Sequence, residues 1–462
     1  MSTELNNFWG IANRQYREVP QGDSGLLDGN ASLVGGFYDS GDNIKFSFPT
    51  AYTITLLSWS VIEYHKNYKD IGELDHIKNI IKWGSDYLLK IFIPSNQTSP
   101  ASSTLLSQVG MADVNCWQRP EDMKQERPVF SCDETASDLA GEIIAALSAA
   151  SLVFKDDEKY STNLTKMARE LFDIVTKEEP GFVQGTYTMK DGCGAQARQF
   201  YNSTGYKDEL VWGGTWLFFA TRNTTYLRYS TEYVVMAEEE ELSVDKGIFY
   251  WNNKLPAIVV LLTRLRFFFD LGYPYEESFI SSTNNVDSFM CSYLSPVDHK
   301  TQGLVEVVQM VLVFPLKTCG VSPCLRQVSY IHGDNPMEMS YMVWFGNNYP
   351  KHVHHRGASI PWDSQWRSCV EGNTWLNSEQ PNPNELLGAM VRGPDLNDMF
   401  LDERDKLWFT APTISSNVGL VAALVALLDL QYPFSSLNGA DLLGIDNFGI
   451  FDDIHLINQR RL

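Results

Sequence analysis

The chain has 462 residues, 57 of them acidic and 36 basic, for a formal net charge of −21. Hydrophobic residues make up 44% and aromatics 13%, which excludes wholesale disorder and supplies a sizeable core. The acidic balance works against a nucleic-acid partner or an anionic membrane surface, whose charge it would repel. A neutral ligand or substrate is the simpler expectation.

The N-terminus, Met1-Ser2-Thr3-Glu4, lacks the basic and apolar parts of a signal peptide. A polar loop rich in Gly and Asp runs from Asp28 to Pro49. Helical spacing then begins: Ile54, Leu57, Val61 and Tyr64, followed by Leu74, Ile77, Ile81 and Leu88. A second long loop spans Ser95 to Pro128. Helices return at Leu139, Ile143, Leu147 and Ala150, and at Leu164, Met167, Leu171 and Ile174. The acidic run Glu238 to Glu241 reads as a solvated helix face. Leu255, Val259, Leu262 and Leu265 mark another helix, and a third loop runs from Asn347 to Asn384. The last run, from Val418 to Leu430, is apolar nearly all round and predicts a buried helix. Its best stretch, Val418 to Leu428, falls short of the ~20 apolar residues that span a bilayer, so no transmembrane segment is expected. No Pro/Ser-rich linker breaks the chain. Helices paired by short turns, with long loops between, point to one all-α barrel or toroid over residues 1–462.

Seven scattered cysteines form no Cys-x-x-Cys pair and no zinc spacing. They are compatible with one or two disulfides. Asn-x-Ser/Thr acceptors occur at Asn30, Asn96, Asn163, Asn202 and Asn223.

Three clusters carry chemistry. In Gly35-Gly36-Phe37-Tyr38-Asp39-Ser40-Gly41-Asp42-Asn43, two carboxylates three residues apart sit in a Gly-rich turn just before a helix. A turn and N-cap arrangement accounts for them. If the turn faces a groove, one Asp can hold a water while the other orients it, as a general base requires. His352-Val353-His354-His355-Arg356 offers three imidazoles and a guanidinium. No carboxylate cluster completes a metal set there, which leaves planar donors aimed at hydroxyls or a carboxylate, beside a structural role. The third cluster, Gly393 to Asp405, is dense in carboxylates but lacks EF-hand spacing. Twelve Trp, 21 Tyr and 25 Phe fit either a large core or a groove lined with ring faces.

Taken together these motifs resemble glycoside hydrolase family nine, the inverting endo-β-1,4-glucanases (cellulases), and within it the plant membrane-anchored KORRIGAN-type branch. The resemblance rests on Gly35 to Phe46, Leu56 to Tyr64, Cys116-Trp117-Gln118-Arg119-Pro120, Val211-Trp212-Gly213-Gly214-Thr215-Trp216, Asp334-Asn335-Pro336, and Ser340 through Arg356. It implies an (α/α)6 barrel, a six-hairpin toroid, with an open cleft for a β-1,4-glucan. Asp42 would be the general base and Asp39 would help hold the water. His354 and Arg356 would bind sugar hydroxyls, and Tyr38 would join them. Asp402 would match the acidic residue of the C-terminal signature. Trp117, Trp212 and Trp216 would be sugar-stacking platforms, with core packing as the competing explanation for each. The resemblance also implies a monomer of the secretory pathway or cell wall, needing no metal or organic cofactor.

Two departures stand out. Nine positions after the signature Asp, the family carries its general acid, a Glu in a Thr-Glu-Pro-Thr-like string. This chain has Thr410-Ala411-Pro412-Thr413, so Ala411 occupies the position of the acid. The expectation is therefore an endo-β-1,4-glucanase impaired by Ala411, or a glucan-binding pseudoenzyme, unless Glu403 or Asp405 substitutes. The stretch 302–328 is also short for the family, which predicts the loss of one or two barrel helices there.

Overall fold

Helices of two kinds alternate along the chain. Helix α1 (Ser47–Asp70) is buried on every side from Ser47 to Val61. Helix α2 (Leu74–Ile91) buries only Ile77, Ile80, Ile81, Gly84, Leu88 and Ile91, at steps of three and four, with Ser85 and Tyr87 beside them. The contrast repeats. Helix α3 (Ser137–Val153), built largely of Ala, Gly and Ser, is almost wholly buried. Helix α4 (Glu158–Val175) buries one stripe through Leu164, Ala168, Leu171, Phe172 and Val175. Helix α5 (Lys207–Thr221) is buried all round over most of its length, and α6 (Thr224–Glu238) on one face. A helix apolar all round belongs inside and an amphipathic one outside. The result is the inner and outer ring of the (α/α)6 toroid.

Helix α7 (Leu255–Phe268) adds another inner member through Ala257, Ile258, Leu261 and Leu265. Helices α8 (Ser322–Ile331) and α9 (Cys369–Leu376) follow, and α10 (Ile414–Leu428) returns to pack on α1. The small residues of α3 permit close approach to α5: a Cβ on Gly141 would meet the Glu209 carbonyl oxygen at 2.4 Å.

The computed structural model describes residues 26–27, 31–94, 103–111, 116–123, 127–177, 179–243, 248–268, 322–428 and 450. The stretch 302–328, where the loss of one or two barrel helices is expected, lies outside these, apart from residues 322–328 at the start of α8.

Two features depart from the sequence expectations. The loop from Ser95 to Pro128 contains strand β5 (Thr104–Val109), which pairs antiparallel with β3 (Lys45–Phe46), β4 (Phe92–Ile93) and β6 (Val129–Cys132). A further short pair, β1 (Leu26–Leu27) and β2 (Ala31–Ser32), precedes them. The apolar C-terminal stretch is also longer than the sequence suggested. Residues Leu407–Leu428 have the length and apolarity of a bilayer span, but they are mostly buried in the protein and belong to its core.

At the barrel centre Lys254 is fully buried, with its Nζ 3.0 Å from Glu142 and 3.2 Å from Glu209. Asp208 accepts the Lys254 amide at 2.8 Å, and buried Asp138 caps the Leu139 and Tyr187 amides at 2.7 Å each. Two carboxylates thus meet the ammonium, and two more, Asp208 and Asp138, lie nearby on backbone amides.

Candidate active site

The Asp39–Asp42 turn is fixed from within and from below. The Asp39 amide donates to Ile44 O and the Asp42 amide to Asp39 O, both at 3.0 Å. Just beyond the turn, β3 joins it to the sheet, with Lys45 opposite Val109. Gly41 has φ +77°, and a Cβ there would stand 2.0 Å from the His354 carbonyl oxygen. Only glycine lets the turn lie against the histidine segment. The Arg356 amide donates to Gly41 O at 2.9 Å and locks the contact.

Across that contact Arg356 Nε donates to Asp42 Oδ1 at 2.8 Å, and His354 Nε2 stands 3.7 Å from Asp42 Oδ2. A second Arg356 nitrogen donates to the Cys116 carbonyl. Burial alone would raise the Asp42 carboxyl. The neighbouring His354 ring and the Arg356 charge outweigh it and hold the pKa at about 2. Asp42 is therefore ionised at any working pH. His354 Nδ1 donates to the Arg404 carbonyl at 2.7 Å, which sets the ring so that Nε2 faces Asp42.

Asp39 lies behind, fully buried. It accepts from Tyr201 Oη at 2.5 Å, the Ile414 amide at 2.9 Å and Ser40 Oγ at 3.0 Å. Burial pushes its carboxyl up, against the pull of these three donors. The Ile414 bond brings the segment carrying Ala411 to the site. On the segment's other side the His354 amide donates to Thr410 O at 3.1 Å. Ala411 thus sits between a residue tied to His354 and one tied to Asp39, and its side chain is only 1% exposed.

Several expected roles change. Trp212 and Trp216 are fully buried and pack with Trp59, ring centroids 5.6–5.9 Å apart. They are core residues and present no face to a sugar. Trp117 is 3% exposed. The Arg356 guanidinium covers its ring at 4.7 Å and the His354 ring meets it edge-on at 5.0 Å, so it backs those two residues. Arg356 is aimed at a carboxylate and a carbonyl, the alternative the sequence left open to hydroxyls. Asp402 takes the Lys351 and His352 amides at 2.9 and 3.0 Å and His352 Nδ1 at 3.1 Å, so it braces the histidine segment from outside. His355 Nδ1 accepts the Ala358 amide at 3.0 Å. Burial and the neighbouring His354 lower that ring to about 4, which keeps it neutral. Tyr38 is half-buried under Arg127, which donates to its hydroxyl at 2.5 Å. Among the described residues no cluster of His, Cys, Asp and Glu is arranged to hold a metal.

Sequence reasoning missed Tyr201, Arg127 and Arg404, which lie outside every patterned motif except the last acidic loop. It also missed the exposed tryptophans Trp362 (59%), Trp366 (51%) and Trp408 (61%). The first two ride on a loop clamped to the Cys116–Asp122 segment. Arg119 donates to the Pro361 and Gln365 carbonyls at 2.6 Å, and Trp366 Nε1 to Asp122 O at 2.8 Å. The Cys116–Cys369 disulfide ties the same segment to α9, and Cys132–Cys193 joins β6 to the turn before α5.

This arrangement has relatives. The chain is 42% identical over 457 residues to Endoglucanase 10 of Oryza sativa subsp. japonica, covering 88% of this chain and 72% of that one. Endoglucanase 25 of Arabidopsis thaliana is also 42% identical, with the same shares covered. The endoglucanase of the termite Nasutitermes takasagoensis superposes with a TM-score of 0.73 at 32% identity, over 89% of this chain and 91% of that one. The cellulase Cel9M of C. cellulolyticum, solved with cellobiose, gives 0.69 at 27% identity, over 88% and 90%. Residues 9–424 match the family model described as glycosyl hydrolase family 9. That match covers most of the chain, and with the relatives above it shows that the chain belongs to glycosyl hydrolase family 9.

Proposed function

We propose that the chain is an endo-β-1,4-glucanase of inverting type, acting as a single catalytic domain, whose turnover of cellulose and related wall glucans is limited by the loss of its general acid. The observation that carries this reading is the contrast between an intact, fully partnered Asp42 and a methyl at Ala411. An inverting glycosidase needs one carboxylate to take a proton from the attacking water and a second carboxyl to protonate the departing oxygen. Asp42 is ionised and held by Arg356 and His354, so it suits the first task. Asp39, anchored behind it by Tyr201 and Ile414, steadies the turn that carries it. Ala411 has no proton to give.

Neither neighbouring acid compensates. Glu403 and Asp405 are more than half exposed, and both lie beside Lys406, at 3.8 and 2.9 Å. The exposed rings of Trp362 and Trp366 are the stacking platforms in place of Trp212 and Trp216, because a sugar needs an open ring face. Two disulfides fit an oxidising compartment and support a secreted or cell-wall enzyme.

The deciding experiment compares the parent with Ala411→Glu on a soluble cellulose derivative and on an aryl β-cellobioside whose phenolate leaves without a proton. The variant should gain ~10²–10⁴-fold on the polymer and much less on the aryl glycoside, which the parent already cleaves. A second reading, a glucan-binding protein without turnover, also draws on Ala411. It predicts cello-oligosaccharide binding by calorimetry with neither substrate cleaved by the parent. Equal and rapid cleavage of the polymer by parent and variant would end the acid-loss reading.

A further inference from the structure

The four arginines buried among the described residues are all spent on protein oxygens. Arg119 grips Asp122 and the Pro361 and Gln365 carbonyls, and Arg264 donates to Glu63 at 2.7 Å. Arg356 holds Asp42, and Arg404 closes on Asn382 and three backbone carbonyls. Arg392 is different. It is half-buried, and its guanidinium lies over the exposed Trp408 ring at 4.7 Å. Among the described residues that guanidinium makes no hydrogen bond and no ion pair.

The acidic loop that follows is the obvious source of a partner, but its carboxylates are committed elsewhere. Asp395 takes the Asn397 and Met399 amides at 2.8 and 2.9 Å, Asp398 the Tyr330 hydroxyl, and Asp402 the Lys351 and His352 amides. Glu403 and Asp405 sit beside Lys406. Arg392 also borders Ala411. Its amide donates to Ala411 O at 3.1 Å and the Gly393 amide to Phe409 O at 3.2 Å, so the two segments lie side by side. Its charge reaches inward as well: burial raises the Asp39 carboxyl and the Tyr201 hydroxyl, and Arg392 opposes that rise in each.

We propose that Arg392 binds a carboxylate beside Ala411, and that the glycan taken there is a β-1,4-glucan carrying uronate groups. The glycan rests on the glucanase reading; the carboxylate comes from Arg392 itself. A guanidinium presents its N–H groups in a planar fork, which a carboxylate accepts two at a time. The Trp408 ring supports that fork from one side, as an aromatic face supports a cation. The device has to be local. A net charge of −21 repels an anionic sugar at long range, so a preference for one requires a cation at the point of contact.

The test is calorimetric binding of two probes to the full chain: cellotetraose, and cellotetraose with one glucose oxidised to glucuronate at C6. The uronate probe should bind at least ~10-fold tighter, the scale of a hydrogen bond to a charged group, and added salt should shrink the difference. Arg392→Gln should bring the ratio to one or below, where the acidic field alone would put it. Arg392→Lys keeps the charge without the fork and should keep only part of the preference. Sodium acetate, matched to sodium chloride at equal ionic strength, separates two sources of a carboxylate. A sugar-borne group should hold its advantage in acetate, whereas its erasure would keep the Arg392 site and assign it to a small free carboxylate. Equal binding of the two probes by the parent overturns the proposal and leaves the glucanase reading in place; failure of both to bind overturns both. A uronate preference that survives Arg392→Gln places the carboxylate elsewhere and overturns the assignment as well.

Discussion

The two halves of the active site are built to different standards. On the base side, Asp42 is met by a guanidinium at 2.8 Å with an imidazole ring 3.7 Å away, and both side chains are themselves anchored by backbone carbonyls. On the acid side, the segment from Thr410 to Ile414 keeps every backbone tie to His354 and Asp39, but ends in a buried methyl. On the proposed reading, the scaffold that would aim an acid has outlasted the acid. Backbone hydrogen bonds do not depend on the side chain at 411, so under that reading a single substitution would remove the proton donor without disturbing the frame. The same independence makes the loss reversible.

The largest effect should come from the base side. Asp42→Asn in the Ala411→Glu background should lower polymer cleavage by ~10²–10⁴-fold, and it should also abolish cleavage of the aryl β-cellobioside by the parent. If the aryl substrate is cleaved as fast without Asp42, the two halves do not divide the chemistry as described.

The comparison extends to the barrel centre, where the matching is reversed. Asp42 has the Arg356 guanidinium and the His354 ring beside it to hold it low, whereas Asp138, Glu142, Asp208 and Glu209 share Lys254. Burial pushes Asp138 and Glu142 to about 7 each, and raises Glu209 well above its ordinary value. Ordinary carboxyls titrate near ~4, so the folded state holds protons that the unfolded chain releases. That stability is complete below ~4 and is lost as pH rises through about 7, a loss on the order of a few kcal/mol. Asp42 has the opposite sign: its contribution is present above ordinary carboxylate pH and is lost only as pH falls through about 2. The melting temperature should therefore fall between pH 5 and pH 8, and Glu142→Gln should flatten the decline. A melting temperature that climbs over that range would contradict the cluster's assignment.

A smaller effect tests how Asp42 is tuned. Arg356→Gln removes the charge beside the base, so burial should lift its carboxyl by ~1–3 units. The acid limb of kcat/KM on the aryl substrate should move up by the same amount. An unmoved limb would assign the low value to His354 alone.

Much of this was legible in the sequence, and for identifiable reasons. The period of Leu164, Met167 and Leu171 locates an outer helix, and the all-round apolarity of Val418 to Leu428 locates an inner one. Strand β5 escaped because Leu105 and Leu106 are a short apolar pair inside a polar loop. Asp42, His354 and Arg356 could be named from the family motifs, but their direct contact depends on Gly41 meeting the His354 carbonyl, which no spacing encodes. Tyr201 reaches Asp39 across 162 residues and carries no local signal. Tryptophan was the hardest type to place. A ring in a helix and a ring in a clamped loop look alike in sequence, so Trp212 and Trp216 read equally as platforms or as core, and nothing local sets Trp362 and Trp366 apart as exposed.

The smallest effect separates aiming from chemistry. Asp402 was expected among the catalytic acids, yet its oxygens are spent on the Lys351 and His352 backbone and the His352 ring. Asp402→Asn keeps one acceptor and loses the charge, which should cost about 1–2 kcal/mol of stability. Cleavage of the aryl substrate should fall only a few-fold, because His354 retains its own anchors at Arg404 and Thr410. The pH profile should keep its shape, since no titrating group next to the substrate is altered. A loss as deep as that of Asp42→Asn would instead place Asp402 against the sugar, and the acid half of the site would then be less empty than Ala411 makes it.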